Sequence, residues 1–277
     1  MDELSNIHDA ELNILQDIVG IFNKYNLRYF LGFGTLLGAI RHHGFIPWDD
    51  DIDIFVPRPD FEKFKNIAES VIRDPYIVTG NVRSEDSNPH TFILRVEDTS
   101  VHFMTEKNGE KITNNVWVDL FPIDGMPSNK MMQKILFDRF RILFILLRIS
   151  RSSTLGTSVV ANRPIIERVG IKLNKLLKIG YLLKMRTIID RFDSIRSKYP
   201  YEESEYVCPL TIDYMEKCIC KREWFGNGKE VLFEDKKFIV PDNADYILKQ
   251  LYGDYWKLPP EDQQVPKHRI IACSKQT

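Results

Sequence analysis

Cysteine is scarce in this chain. Cys208, Cys218, Cys220 and Cys273 are the four among 277 residues, and their spacing matches no disulfide framework. No secretory signal opens the sequence, so the expectation is a cytoplasmic protein in a reducing compartment, its cysteines ordinary thiols on a strand. Cys218-x-Cys220 is a single tight pair where a zinc site uses four ligands in wider pairs, so zinc is not expected there. Apolar runs are short as well. The longest, residues 142–147, lies between Arg141 and Arg148, well under the ~20 apolar residues that cross a bilayer. Repeats and low-complexity tracts are missing, and net charge nearly so, with 38 Lys/Arg against 39 Asp/Glu. That balance conceals an asymmetry: residues 130–200 hold 16 basic and 4 acidic residues, +12, while the rest holds 22 and 35, −13. No nucleic-acid recognition motif accompanies the basic block, so nucleic acid is not an expected partner.

What is present reads as globular, 43% hydrophobic and 28% charged, long enough for one large domain or a domain with an added lobe. Leu12, Leu15, Ile18, Val19, Phe22 and Tyr25 at helical spacing predict a helix over 8–27 that covers a first strand at 28–33. A short helix over 36–41, a strand at 52–56 and a helix over 61–72 come next, the last with Phe61, Phe64, Ile67, Ala68 and Val71 on one side. Strands rich in β-branched and aromatic residues are predicted at 76–79, 91–96, 101–105 and 116–121. Then the pattern changes to basic, leucine-rich helices over 129–150, 164–178 and 180–198. Strands return near 231–240, and Pro241 and Asp242 lead into a helix over 244–252. The expected class is α/β (α+β): a mixed sheet with flanking helices and a basic helical insertion. Its parts are a core in 1–127, the insertion or lobe in 128–200, and a C-terminal part in 201–277 that completes the core.

The chemistry concentrates in residues 32–56. Asp51 and Asp53 are one residue apart inside an apolar run of Ile52, Ile54, Phe55 and Val56, so on a strand both carboxylates leave the same face. Two convergent carboxylates suit a hard divalent cation, Mg²⁺ or Mn²⁺, that keeps positions open for phosphate oxygens. Just upstream, Gly32 and Gly34 permit close backbone approaches. Thr35 is placed to cap the following helix, whose N-terminal amides would receive a phosphate. Arg41 is the cation best placed to pair with a diphosphate; His42 and His43 are read as surface groups or as aids to a phosphate. Of Asp49 and Asp50, one is read as lying behind the ligands or in the loop, with Asp49 capping the turn. Trp48, Trp117, Tyr252, Tyr255 and Trp256 are core aromatics or, for a quaternary ammonium substrate, the walls of a cation-π cage.

Residues 34–54, Gly-Thr-Leu-Leu-Gly-Ala-Ile-Arg-His-His-Gly-Phe-Ile-Pro-Trp-Asp-Asp-Asp-Ile-Asp-Ile, resemble the signature of the LicD/fukutin family. Residues 251–260, Leu-Tyr-Gly-Asp-Tyr-Trp-Lys-Leu-Pro-Pro, with His268 shortly after, resemble the family's C-terminal segment. The resemblance implies a nucleotidyltransferase-like fold and a third carboxylate on a neighbouring strand, a place that Asp119 in Trp117-Val-Asp-Leu-Phe-Pro-Ile-Asp124 fills; Asp124, beside Gly125, is read as a turn residue. It also makes Arg95 a second phosphate contact or a surface strand arginine, and brings His268 with Lys267 and Arg269 near the site. The implied activity is metal-dependent transfer of phosphocholine from CDP-choline to a hydroxyl of a cell-surface glycan, a teichoic acid or lipopolysaccharide precursor, releasing CMP. Asp51, Asp53 and Asp119 would hold the metal, and Asp119 would alternatively take the hydroxyl proton. Gly34, Thr35, Arg41, Arg95, Trp48 and His268 would contact the substrate. Transfer of ribitol or glycerol phosphate, nucleotidyl transfer from an NTP, and a non-catalytic scaffold in glycan assembly are the other readings.

The basic block interleaves Phe137, Ile142, Leu143, Phe144, Ile145, Leu146 and Leu147 with Arg139, Arg141 and Arg148. That is the pattern of a helix lying on an anionic membrane, here the inner face, near a lipid-linked acceptor. An amphipathic core helix or a dimer face would share it.

Overall fold

The computed structural model describes residues 3–80, 92–107, 110–152, 165–177, 180, 183–210, 215–267 and 270–275. Its first element, α1 (Glu3–Lys24), buries Ile7, Ala10, Glu11, Ile14, Leu15, Ile18 and Phe22, a stripe at steps of three and four that lies along the sheet. Strand β1 (Phe30–Leu31) leads straight into α2 (Phe33–Arg41), and β2 (Ile52–Pro57) into α3 (Arg58–Val71). Strands β3 (Tyr76–Gly80), β4 (Leu94–Lys107) and β5 (Glu110–Met126) complete the centre of the sheet. The order is β1-β2-β5-β4-β10, with β10 (Ile270–Lys275) on the second half of β4 and β3 on its first half. Strand β2 runs parallel to β5, and the neighbouring pairs are antiparallel, so the sheet is mixed. Helices flank it, as the sequence predicts. Phe22, Phe61 and Phe64 are fully buried against it, each stabilising by about 1.5–3 kcal/mol relative to exposure.

Local differences from the expectations have physical causes. The predicted strand over 28–33 narrows to two residues, because Gly32 N–H bonds Asp53 O and the chain turns into α2 at once. The strands expected at 91–96 and 101–105 are one strand, β4, bent where its register with β5 slips between Asp98 and His102. Asp124 is not a turn residue. It lies within β5, fully buried, with Arg58 Nε at 2.5 Å and Nη2 at 2.9 Å forking its carboxylate and Arg196 Nε at 2.8 Å. Burial alone would raise its pKa, but the two guanidiniums outweigh that and hold it below the usual carboxylate range.

The basic segment forms α4 (Lys130–Ser152), α5 (Ile165–Leu177) and α6 (Met185–Arg196). Phe192 of α6 stacks on Phe92 at 3.7 Å and meets Phe140 of α4 at 4.7 Å, while Arg196 carries the salt link to Asp124 in β5. Phe137 and Leu147, grouped by sequence with an interfacial face, are buried. Short strands β6 (Tyr206–Cys208) and β7 (Cys220–Lys221) extend from the end of β5. The hairpin β8 (Lys229–Phe233) and β9 (Lys236–Val240) braces the α2–β2 loop: Glu234 N–H bonds His43 O and Phe45 N–H bonds Glu234 Oε1. Helix α7 (Ala244–Tyr252) has the bounds its sequence predicts, stopped by Gly253 at φ 71°. Cys208 and Cys220 lie in strands and Cys218 in a 3-10 turn; none of the four cysteines is in a disulfide.

A carboxylate site at the head of β2

Parallel pairing places Asp53 beside Asp119, and antiparallel pairing places Arg95 across from Asp119. Arg95, Asp119 and Asp53 therefore form one row across β4, β5 and β2 on a single face. Arg95 Nε and Nη2 fork Asp119 at 2.7 and 2.8 Å, and the guanidinium lies 4.1 Å over the Trp117 ring. The arginine thus holds a site carboxylate, a planar two-point contact that a lysine could not copy.

Asp51, two residues before Asp53, continues the acidic face. Oxygens of Asp49, Asp50 and Asp51 lie within 4.8 Å of one another, and Asp50, Asp51 and Asp53 are 3%, 8% and 8% exposed. So much buried negative charge raises proton affinity. Asp49 is pushed up to about 8 by burial and then by Asp51 and Asp50; Asp53 rises well above the usual range by burial, Asp51 and Asp119. Lys267 Nζ, 3.1 Å from Asp51 Oδ2, partly offsets this. Glu11 of α1 joins the same field: it is raised well above the usual range by burial and then by Asp51, Asp49, Asp50 and Asp53. The donor set is all oxygen and over-supplied with negative charge, which fits a hard divalent cation.

Gly34 sits where a Cβ would overlap Asp49 Oδ2, so its lack of a side chain is what lets that carboxylate approach the first turn of α2. Thr35 does not cap the helix. Helix α2 begins at Phe33, and the buried Thr35 hydroxyl accepts the Asp53 N–H at 2.9 Å, fastening α2 to β2. Arg41 stands at the opposite end of α2, about 10 Å along the axis from Gly34. It donates to Tyr255 O at 2.6 Å and to His42 Nδ1 at 3.3 Å. Half-buried Trp48 meets His42 edge-on, ring centres 6.3 Å apart, and burial, then Arg41 and His43, lowers the pKa of His42. Tyr255 is buried and Trp256 exposed. The structure thus gathers Asp51, Asp53, Asp119, Arg95, Gly34 and Thr35, and sets Arg41 against Tyr255 and Trp48 against His42. His268 and Arg269 lie outside the described residues.

Sequence reasoning missed Glu11 and gave Lys267 no partner; its reading of Asp49 at a turn agrees with the Asp49 N–H bond to Ile46 O at 2.9 Å. His8 offered a clue it did not use: its Nε2 lies 2.7 Å from Asp49 O and its ring stacks on Phe45 at 3.9 Å, tying α1 to the acidic loop. A cavity of about 530 Å³ runs beside Asn13, Asp17, Tyr76 and Asp98; no residue of the β2 site lines it.

A mixed sheet whose parallel central pair carries aspartates in register, next to a helix that follows Gly32, defines an α/β protein with a carboxylate-rich site at the head of β2. Residues 26–144 match the family described as LicD/FKTN/FKRP, nucleotidyltransferase domain. The chain is 29% identical over 265 residues to the lipopolysaccharide cholinephosphotransferase LicD of Haemophilus influenzae, covering 93% of this chain and 92% of that protein. An uncharacterized protein of Rickettsia typhi is 43% identical over 118 residues, 43% of this chain and 35% of its own length. The ribitol 5-phosphate transferase FKRP of Homo sapiens is 49% identical over 37 residues, 13% of this chain and 8% of its own.

Proposed function

We propose that the protein is a phosphotransferase that moves phosphocholine from CDP-choline to a hydroxyl of a cell-surface glycan or its lipid-linked precursor, a lipopolysaccharide or teichoic acid, and releases CMP. The observation that carries this reading is the buried row of Asp53 and Asp119 with Asp51 and Asp49 at its head, in a chain that aligns over nearly its whole length with a cholinephosphotransferase.

Asp51, Asp53 and Asp119 would hold Mg²⁺ or Mn²⁺, with Asp49 beside them. The cation supplies charge neutralisation for the donor's diphosphate. The chain's own residues account for the rest. The first-turn amides of Gly34 and Thr35 offer the helix N-terminus to a phosphate oxygen. Lys267 adds a positive charge at Asp51, where the diphosphate would lie. Arg95 locks Asp119 in one orientation, so that it either completes the ligand set or accepts the acceptor's hydroxyl proton. The hydroxyl oxygen forms the new bond to the choline-bearing phosphorus, the bond from that phosphorus to the CMP oxygen breaks, and CMP leaves with the electron pair. Positioning and electrostatics supply most of the rate. Arg41, Trp48 and His268 would meet the outer parts of the substrate.

A nucleotide-activated donor and four cysteines without a disulfide support work in the cytoplasm. Among the described residues no helix is long and apolar enough to cross a membrane. Ile142, Ile145, Leu173 and Leu176, each at least half exposed, lie among the Lys and Arg of α4 and α5, which supports docking on the anionic inner face near a lipid-linked acceptor.

The similarity to a ribitol 5-phosphate transferase favours a second donor, a CDP-alditol. Incubating the protein with CDP-choline, CDP-ribitol, CDP-glycerol and NTPs, with acceptor and Mn²⁺, separates the readings. CMP from CDP-choline is expected. CMP from a CDP-alditol alone would keep the chemistry and discard choline, pyrophosphate from an NTP would make it a nucleotidyltransferase, and silence on every donor would favour a scaffold.

A further inference from the structure

Glu11 is the charged side chain that the site's own chemistry has not used. It lies in the middle of α1, 1% exposed, and its Oε2 is buried with no hydrogen-bond partner among the described residues. Its helical neighbours at three and four residues' distance are Ile7, His8, Ile14 and Leu15, and the only polar one, His8, is engaged with Asp49 O and Phe45. The charges that act on it most strongly are the carboxylates of Asp51, Asp49, Asp50 and Asp53, in that order. His8 and Glu11 are one turn apart on one face of α1, so the bond from His8 to the Asp49 carbonyl turns that face toward the acidic loop.

Burying a carboxylate among other carboxylates, with one oxygen unpaired, is unfavourable by several kcal/mol. A leucine or methionine would fill the same space without that cost. The arrangement becomes favourable once a cation enters the cluster, because one divalent charge relieves Glu11 together with Asp49, Asp51 and Asp53. We propose that Glu11 Oε2, contributed by α1, is a ligand, direct or through one water, of the divalent cation at the head of β2. This rests on the cation reading of Asp51 and Asp53. It gives the N-terminal helix a part in the site, forty residues upstream of Asp51.

The test is Mn²⁺ binding without any substrate, followed by the electron paramagnetic resonance signal of free Mn²⁺, for wild type, Glu11→Gln, Glu11→Asp and Asp51→Asn. Glutamine keeps the shape of the acid and removes its charge. Glu11→Gln is expected to raise the Mn²⁺ Kd by about 10- to 100-fold, while the metal-free protein melts at or above the wild-type temperature and gains less from added Mn²⁺. Glu11→Asp, which keeps the charge but shortens its reach, is expected to weaken binding less, and it serves as the readout should the glutamine variant not fold. Wild-type affinity in both Glu11 variants, with weakened binding in Asp51→Asn, would overturn the assignment of Glu11 and leave the cation site standing. No Mn²⁺ binding by the wild type would overturn both.

Discussion

Gly34 and Asp124 show how much single positions decide. A methyl group at Gly34 would overlap the Asp49 carboxylate, so Gly34→Ala displaces an acid of the site without touching the core. A displacement near 1 Å at reacting groups costs on the order of 10²-fold in rate. Gly34→Ala is therefore expected to lower kcat/KM by about that factor while the urea midpoint barely moves; an unchanged rate would mean that Asp49 has no part in the site. Asp124 works in the opposite sense, for stability alone. Asp124→Asn leaves Arg58 and Arg196 facing each other without their carboxylate, and breaking a buried ion pair by removing one partner costs about 3–5 kcal/mol. Its pH dependence has a definite sign. The folded-state pKa is depressed, so the contribution is complete above the unfolded value of about 3.9 and is lost as pH falls through the folded value. Urea titrations from pH 6 to pH 3 should show the wild type losing this increment below about pH 4, and the variant, already without it, falling less steeply. Parallel curves would contradict the assignment.

At the scale of elements, the sequence is legible where the signal is local. Helix α7 has its predicted bounds because Pro241, the apolar spacing and Gly253 all act within a few residues, and β2 is legible because Asp51 and Asp53 alternate with Ile52 and Ile54. Asp119 is legible through the family motif as a carboxylate on a neighbouring strand, but its register beside Asp53 is not. Where contacts are distant, the sequence is mute. Glu11 comes into the field of the acids only because α1 packs on the sheet, and Asp124 looks like a turn residue beside Gly125 because nothing local announces that β5 continues to Met126 to meet β6. The start of α2 at Phe33 follows from the bond of Gly32 N–H to Asp53 O, again a partner twenty-one residues away. The helical segment allows its own test. Ile142 and Ile145 are 58% and 55% exposed on α4, so Ile142→Glu with Ile145→Glu should leave folding intact. Wild type is expected to float with vesicles containing anionic lipid at low salt and to be released at high salt, and the double variant to stay at the bottom. A wild type that stays at the bottom at low salt would remove the membrane from the account.

The whole molecule divides its charge as it divides its work. The basic segment over 130–200 carries +12 and the remainder −13, with Asp49, Asp50 and Asp51 clustered at the head of β2. Arg196 joins the two, reaching from the last turn of α6 to Asp124, five residues beyond Asp119 on the same strand. A lipid-linked acceptor held by the basic face and a donor held by a cation among the acids would meet within one chain. Phosphotransfer by the aspartates at the head of β2 is measured by acceptor-dependent CMP release from CDP-choline, for wild type against Asp51→Asn with Asp53→Asn. Release is expected to require Mg²⁺ or Mn²⁺ and to fall on the order of 10³-fold in the double variant, with the variant's fold preserved by circular dichroism. Equal release from the variant and the wild type, or release indifferent to chelator, would contradict phosphotransfer by these aspartates.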